Sequence, residues 1–218
     1  MSSAPMRAAL LVALLAPFCL MLAMMMPLPA KAQEPVRIVF LGDSLTAGFG
    51  LGPGEAYVER LGAMLKEKGL SVEIVNAGVS GDTTAGGLSR LDWSVSDGTK
   101  GVVLALGGND ALRGIPVEET RNNLATAIET LKARGIAVLL AGMLSPPSMG
   151  EDYEKAFNAI YGDLAQQYDV AFHPFLLDGV AAEAALNQDD GIHPNAQGMQ
   201  VIAKRLLPAV EAFVRNLQ

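Results

Sequence analysis

From residue 36 onward, short apolar runs alternate with longer segments in which apolar residues recur every three or four positions. Short runs rich in Val, Ile and Leu are typical of strands buried in a parallel sheet, whereas the wider spacing is typical of amphipathic helices. The apolar runs cover residues 36–41, 72–75, 101–106, 136–141 and, more weakly, 170–172. Helical spacing is clearest over residues 57–65, 117–131 and 199–210.

This alternation predicts an α/β fold with a flavodoxin-like, three-layer α/β/α arrangement. Five strands joined through helices by right-handed crossovers favour a five-stranded parallel sheet with the strand order 2-1-3-4-5. Sheets of this kind bind ligands beyond the carboxyl ends of their strands. We therefore expect the chemistry of this protein to lie in the loops that follow the strands.

The first 32 residues differ from the rest of the chain. They contain two basic residues, no acidic residue and a long apolar run from Ala8 to Leu28, which is followed by Ala30-Lys31-Ala32. This order is typical of a secretory signal peptide cleaved after a small residue, here near Ala32. A retained membrane anchor is the alternative, because about 20 apolar residues can span a bilayer. Two prolines within the run favour cleavage, so we expect a periplasmic or secreted protein with a single domain over residues 33–218 and no membrane span.

Charge and composition exclude several classes of function. The chain has 16 basic and 23 acidic residues; without Arg7 and Lys31 of the leader, 14 basic residues remain and the net charge is −9. Such an acidic domain is not expected to bind nucleic acid. The one cysteine, Cys19, lies in the leader, and the chain has only two histidines. We therefore expect no disulfide, no cysteine nucleophile, no metal site and no cofactor.

Four of the loops combine glycine with polar side chains. They read GDSLTAG at 42–48, NAGVSGD at 76–82, GGND at 107–110 and DDGIHPN at 189–195. We expect all four to meet at the carboxyl edge of the sheet. There they would supply a hydroxyl, glycine main-chain amides, a side-chain amide, and an imidazole with a carboxylate three residues before it.

These groups are the ones that acyl transfer to a serine requires. A serine hydroxyl such as that of Ser44 needs an imidazole to accept its proton, and the imidazole needs a carboxylate to fix its orientation. His193 and Asp190 can supply both. Asp189 competes for the acid role, although the three-residue offset to His193 favours Asp190. The other histidine, His173, follows a weak apolar run and is expected to be structural.

A tetrahedral intermediate also needs hydrogen-bond donors directed at its oxyanion. The main-chain N–H groups of Ser44 and Gly78 and the side-chain amide of Asn109 are the candidates. Each residue alone has a simpler interpretation, since Ser44 could cap a helix and Asn109 could belong to a turn. The glycines from 42 to 54 fit no nucleotide-binding pattern and are expected to form a flexible loop.

The four blocks together resemble those of the SGNH (GDSL) hydrolases, in compatible order and spacing over about residues 36–215. Within that family the sequence is similar to the multifunctional thioesterase/lysophospholipase and arylesterase group. The resemblance implies a small-molecule ester or lipid-like substrate and no cofactor. It implies that Ser44 is the nucleophile, that Asp190 and His193 are its partners, and that Ser44, Gly78 and Asn109 form the oxyanion hole.

The sequence therefore predicts a secreted serine esterase, with two alternatives. An acetyl-polysaccharide esterase of the same fold would need an aromatic platform for sugars, but aromatic residues make up 6% of the chain and Trp93 is its one tryptophan. A non-catalytic exported binding protein would have no need of a complete set of catalytic groups. Acyl chain, leaving group and oligomeric state stay open, because different esters pass through the same oxyanion.

The loop after the fourth predicted strand, residues 143–150, is a candidate for substrate selection. It should lie beside the loop that carries Asn109, and its apolar Met143, Leu144 and Met149 could line an acyl pocket. An ordinary surface connection is the alternative interpretation of the same residues.

Overall fold

The five apolar runs form the five strands of one parallel sheet. The strands are β1 (Val36–Gly42), β2 (Val72–Gly78), β3 (Gly101–Ala105), β4 (Ala137–Ala141) and β5 (Ala171–His173). Their order is β2-β1-β3-β4-β5, and every neighbouring pair is parallel. The predicted α/β fold and strand order are confirmed.

The computed structural model describes residues 34–218, so the predicted signal peptide lies outside the described residues. Pro35–Gln218 form one compact unit. Among residues 34–218, no helix combines the length and apolar character needed to cross a membrane.

Helices occupy the connections between the strands. In the described part of the chain they are α1 (Ser44–Ala47), α2 (Tyr57–Glu67), α3 (Thr84–Ser89), α4 (Leu91–Ser94), α5 (Gly108–Arg113), α6 (Val117–Ala133), α7 (Glu151–Tyr168) and α8 (Ala196–Arg215), with 3₁₀ turns at Pro147–Met149 and Ala184–Leu186. The three helices predicted from apolar spacing are α2, α6 and α8. α7 is an addition to that set, although its buried Phe157, Ile160 and Leu164 have helical spacing too.

The core lies between the sheet and two groups of helices. α2 packs against α8, whereas α6 packs against α3 and α7. All five residues of the central strand β3 are buried, as expected for a strand covered on both faces. The edge strand β5 is short and exposes Ala171 and Phe172.

β2 continues three residues beyond its predicted end, because its pairing with β1 runs on until Gly78 lies opposite Gly42. A Cβ on Gly78 would stand 2.2 Å from the main-chain nitrogen of Ala47, so only glycine lets α1 pass this close to the strand. Gly42 is itself buried at the end of β1. The expectation of a flexible loop starting at residue 42 is therefore wrong for its first residues, which belong to the sheet and to α1.

Gly142 tests how tightly the carboxyl edge is packed. A Cβ at this position would lie 2.2 Å from the carbonyl oxygen of Pro174, a main-chain atom that cannot rotate away. We expect Gly142→Ala to lower the free energy of unfolding in urea by about 1–3 kcal/mol. Gly162, inside α7, is the matched control, because a Cβ at that position would meet no atom within 4 Å. Gly162→Ala should raise that free energy by about 0.5–1 kcal/mol. Equal effects of the two substitutions would contradict the close packing.

Candidate active site

The predicted nucleophile lies where β1 turns into α1. Asp43 caps α1 and Ser44 is its first residue. The Ser44 hydroxyl oxygen is 3.0 Å from Nε2 of His193, which belongs to the loop before α8. Nδ1 of His193 is in turn 2.6 Å from a carboxylate oxygen of Asp190. The fold thus brings the three predicted residues into one hydrogen-bonded chain.

Asp190, rather than its neighbour Asp189, contacts the imidazole. Its second oxygen accepts the main-chain N–H groups of His193 and Ile192, both at 2.9 Å. The main-chain and imidazole bonds from His193, together with the Ile192 amide, lower the pKa of Asp190 to about 2. An ionised Asp190 accepts a hydrogen bond from Nδ1–H, which leaves Nε2 free to accept the Ser44 hydroxyl proton.

A second carboxylate, that of Asp43, lies next to Ser44 in the sequence. Unlike Asp190, it is buried. It is only 3% exposed. One of its oxygens accepts the N–H of Leu45 at 3.0 Å, and the other lies 3.4 Å from Nδ2 of Asn109. Burial raises the pKa of Asp43 to about 6, because the charged form loses its hydration. The pKa values of Asp43 and Asp190 are therefore shifted in opposite directions.

Two of the three candidate oxyanion donors, Gly78 and Asn109, already have partners within the chain. Nδ2 of Asn109 donates to the carbonyl oxygen of Asp82 at 2.9 Å, so its second hydrogen faces Asp43 across the longer contact. The N–H of Gly78 donates to the side-chain oxygen of Asn76 at 3.0 Å. The N–H of Ser44 belongs to the first turn of α1, where no intrahelical acceptor exists. A substrate oxygen must share or displace the Asn76 contact to reach Gly78.

Sequence reasoning missed Arg90, which joins three of the glycine loops. This arginine is 6% exposed. Its Nε lies 2.5 Å from the carboxylate of Asp82, and its Nη2 donates to the carbonyl of Gly42 at 2.8 Å. The same Asp82 holds Asn109 through its carbonyl oxygen. A single arginine between two short helices gives no sequence signal of such a role, because arginines are usually exposed.

Phe49 was also not predicted. Its ring lies 4.6 Å from that of His193, centre to centre, at an angle of 40°. The side chain is 47% exposed, so one of its sides faces solvent. Because this exposed ring packs against the imidazole, Phe49 lines the site beside His193.

The predicted substrate loop divides between core and surface. Met143, expected to line a pocket, is 6% exposed and belongs to the hydrophobic core. Leu144 is 42% exposed. Met149 is half-buried and packs beside Gly114, which follows α5. A Cβ added to Gly114 would lie 3.2 Å from Cε of Met149. The expectation for Met143 is wrong, because this side chain turns inward beside Gly108.

No metal centre is evident in the described range. Within residues 34–218, no group of three or more His, Cys, Asp or Glu side chains could hold a metal ion.

The burial of Asp43 predicts a specific dependence of stability on pH. Its folded pKa of about 6 exceeds the ordinary value of 3.8, so its protonated form favours folding. That contribution is full below about pH 4 and is lost as pH rises through 6, by about 3 kcal/mol in all. Asp43→Asn stays neutral throughout. We expect the free energy of unfolding of the variant, minus that of the wild type, to rise between pH 4 and 6 in urea titrations. Parallel curves would contradict the assignment.

Residues 40–201 match the GDSL-like lipase/acylhydrolase family model. The chain is 37% identical to the esterase TesA of Pseudomonas aeruginosa over 93% of this chain and 99% of that protein. It is 36% identical to thioesterase 1/protease 1/lysophospholipase L1 of Escherichia coli K12, covering 85% of this chain and 88% of that enzyme.

Solved structures show the same likeness. The crystal structure of AlinE4, an SGNH-hydrolase family esterase, is 41% identical and superimposes with a TM-score of 0.71 over 84% of this chain and 98% of that one. The family match, the similarity of sequence and the shared fold agree with one another. This chain therefore belongs to the GDSL-like lipase/acylhydrolase family.

Proposed function

We propose that this protein is an exported serine esterase that hydrolyses carboxylic esters through an acyl-enzyme on Ser44. The observation that carries the proposal is the chain of contacts from the Ser44 hydroxyl through His193 to Asp190, at 3.0 and 2.6 Å. This is the geometry that converts a weak serine nucleophile into an active one.

In the acylation step, the Ser44 oxygen attacks the ester carbonyl carbon while His193 Nε2 takes the hydroxyl proton. The ionised Asp190 stabilises the resulting imidazolium through Nδ1. Collapse of the tetrahedral intermediate breaks the bond to the leaving group, and the imidazolium returns its proton to the departing oxygen or sulfur. The acyl group is then held as an ester of Ser44.

Water then hydrolyses the acyl-enzyme by the same kind of steps. His193 accepts a proton from water, the hydroxide oxygen attacks the acyl carbon, and Ser44 leaves with its proton restored, releasing a carboxylic acid. In both steps the N–H groups of Ser44 and Gly78 and the Asn109 amide stabilise the oxyanion. For Asn109, the weak 3.4 Å contact to Asp43 supports this role, because that hydrogen loses little when it turns to a substrate.

Apolar side chains around the carboxyl edge support an apolar acyl group. Five large hydrophobic residues in strand-following loops and in α5 are at least 40% exposed: Phe49, Val79, Leu112, Leu144 and Ile192. Residues 33–218 carry a net charge of −9, which opposes strongly anionic substrates. Neutral aryl and short- to medium-chain alkyl esters are therefore our first choice, with thioesters and lysophospholipids as further candidates.

We propose that residues 1–32 form a signal peptide and that residues 33–218 are the exported hydrolase domain. The basic start, the apolar run and the small residues at Ala30 and Ala32 support this division. The resulting protein would act in the periplasm or the medium.

Substitution of the proposed nucleophile tests the function. Ser44→Ala should remain folded but lose hydrolysis of p-nitrophenyl butyrate by about 10⁴-fold or more, together with covalent labelling by a fluorophosphonate. His193→Ala should lower kcat about as far, because the residues act as a unit.

The second histidine provides the matched control. His173 ends β5 and is not part of the contacts at Ser44, so His173→Gln should retain hydrolysis and labelling. Labelling of Ser44→Ala, or full activity of His193→Ala, would place the nucleophile or its base elsewhere. Absence of hydrolysis in the wild type would favour a binding protein.

Leu144 and Met149 should set the acyl-chain preference. Each methylene buried in an apolar pocket contributes up to about 0.8 kcal/mol, nearly fourfold in kcat/KM, until the pocket is full. In a series of p-nitrophenyl esters, Leu144→Ser and Met149→Ser should flatten this rise for the longer chains. Trp93→Ser, which removes an exposed apolar side chain from α4, should leave the profile unchanged. Identical profiles in all variants would show that the loop does not bind the acyl group.

A further inference from the structure

The side-chain amide of Gln188 lies between the loop after α1 and the loop that carries His193. Its Nε2 donates to the carbonyl oxygen of Phe49 at 2.8 Å and to that of Pro194 at 3.0 Å. Its main-chain N–H donates to the carbonyl oxygen of His193 at 2.7 Å. Gln188 thus binds the main chain of His193 and that of the residue after it.

These bonds continue to the nucleophile. The N–H of Phe49 donates to the carbonyl oxygen of Ser44 at 3.0 Å. A path of hydrogen bonds therefore runs from the Ser44 main chain through Phe49 and Gln188 to the His193 main chain. The contact between the Ser44 hydroxyl and His193 Nε2 closes the ring. The path links the two loops that carry the reacting side chains.

Two further contacts fit the same arrangement. The carbonyl that Gln188 holds belongs to Phe49, whose ring packs against the His193 ring. Gly50 follows with a φ of +76°, and a Cβ there would lie 2.3 Å from Oε1 of Gln188. The glycine leaves room for the amide to lie directly against the main chain.

We propose that Gln188 is a positioning residue that sets the His193 imidazole against the Ser44 hydroxyl, by tying the loop of the nucleophile to the loop of the base. The proposal rests on the serine-esterase function argued above. It assigns Gln188 no contact with the substrate.

The chemistry of the two acceptors explains why a glutamine is suited to this position. Both are carbonyl oxygens, so both need a donor, and a primary amide offers two hydrogens on one nitrogen. A carboxylate of the same size would present only acceptors, and a thioether would present no donor. Catalysis is sensitive to this loss, because a displacement of about 1 Å can cost about 10²-fold in rate.

The loop is also held by hydrogen bonds that do not involve the Gln188 side chain. The N–H of Asn195 donates to Leu186, and its side-chain amide donates to Ala185, both at 2.9 Å. The N–H of Gly191 donates to the main-chain oxygen of Gln188 at 2.9 Å. Removing the side-chain amide should therefore leave the loop folded while the imidazole gains freedom relative to Ser44.

Asn187 provides a closely matched control. Its side-chain amide also donates to two carbonyl oxygens, those of Val180 at 2.8 Å and Glu183 at 2.9 Å, but these lie outside the ring that joins Ser44 and His193. Asn187→Leu and Gln188→Met each replace an amide by an apolar side chain of similar size and lose the same number of side-chain hydrogen bonds. A purely structural role for Gln188 predicts equal consequences for activity.

The full chain is compared as wild type, Gln188→Met, Asn187→Leu and Ser44→Ala with p-nitrophenyl butyrate and a fluorophosphonate. Gln188→Met should lower kcat by about 10- to 100-fold and slow labelling of Ser44, with KM within about threefold of the wild type. Asn187→Leu should keep kcat within about twofold. Equal kcat values for these two variants, or a change in KM alone for Gln188→Met, would overturn the proposal.

Ser44→Ala separates the two levels of inference. If Ser44→Ala retains hydrolysis, the proposed function itself fails. If Ser44→Ala is inactive while Gln188→Met equals the wild type, only the role of Gln188 fails.

Gln188→Glu supplies a second measurement should Gln188→Met not fold. Its carboxylate cannot donate to the two carbonyls, but its protonated form can donate to one of them. The ratio of its kcat to that of the wild type should be well below one at pH 8, where a glutamate is ionised. A ratio of one at pH 8 overturns the proposal.

Discussion

The 3.0 Å contact between the Ser44 hydroxyl and His193 Nε2 joins residues that are 149 positions apart, and the rest of the molecule makes this contact possible. Parallel strands put the ends of β1, β2 and β3 at one edge, where Gly42 lies opposite both Gly78 and Ala105. The loops that follow start from the same level of the sheet. A shift in strand register would separate the nucleophile from the groups around it.

Close main-chain approach is the second constraint on this edge. A side chain on Gly78 would meet the backbone of α1, and one on Gly42 would meet Thr46 Oγ1 at 2.0 Å. Arg90 then binds the Gly42 carbonyl and the Asp82 carboxylate from within the core. Packing and buried hydrogen bonds thus act on the same few main-chain atoms, which makes the edge rigid around Ser44.

The two acids beside the reacting groups differ because their surroundings differ. Asp190 lies near solvent and accepts two main-chain amides and an imidazole, so it stays ionised. Asp43 is buried behind Ser44, and loss of hydration raises its pKa. Because burial raises the pKa of Asp43 to about 6, this carboxyl group links the stability of the fold to pH.

The sequence by itself determined the five strands, their order and the four loops, which carry Ser44, Gly78, Asn109, and Asp190 together with His193. It could do so because buried parallel strands need apolar runs with little charge, and because serine, imidazole and carboxylate chemistry requires particular residue types. Only the tertiary structure decided that Met143 turns inward, that Asn76 occupies the Gly78 amide, and that Arg90, Phe49 and Gln188 surround the reacting groups. Most of these contacts are made to main-chain atoms, which every residue has. Local sequence therefore carries no trace of them, and they exist only where folding brings distant loops together.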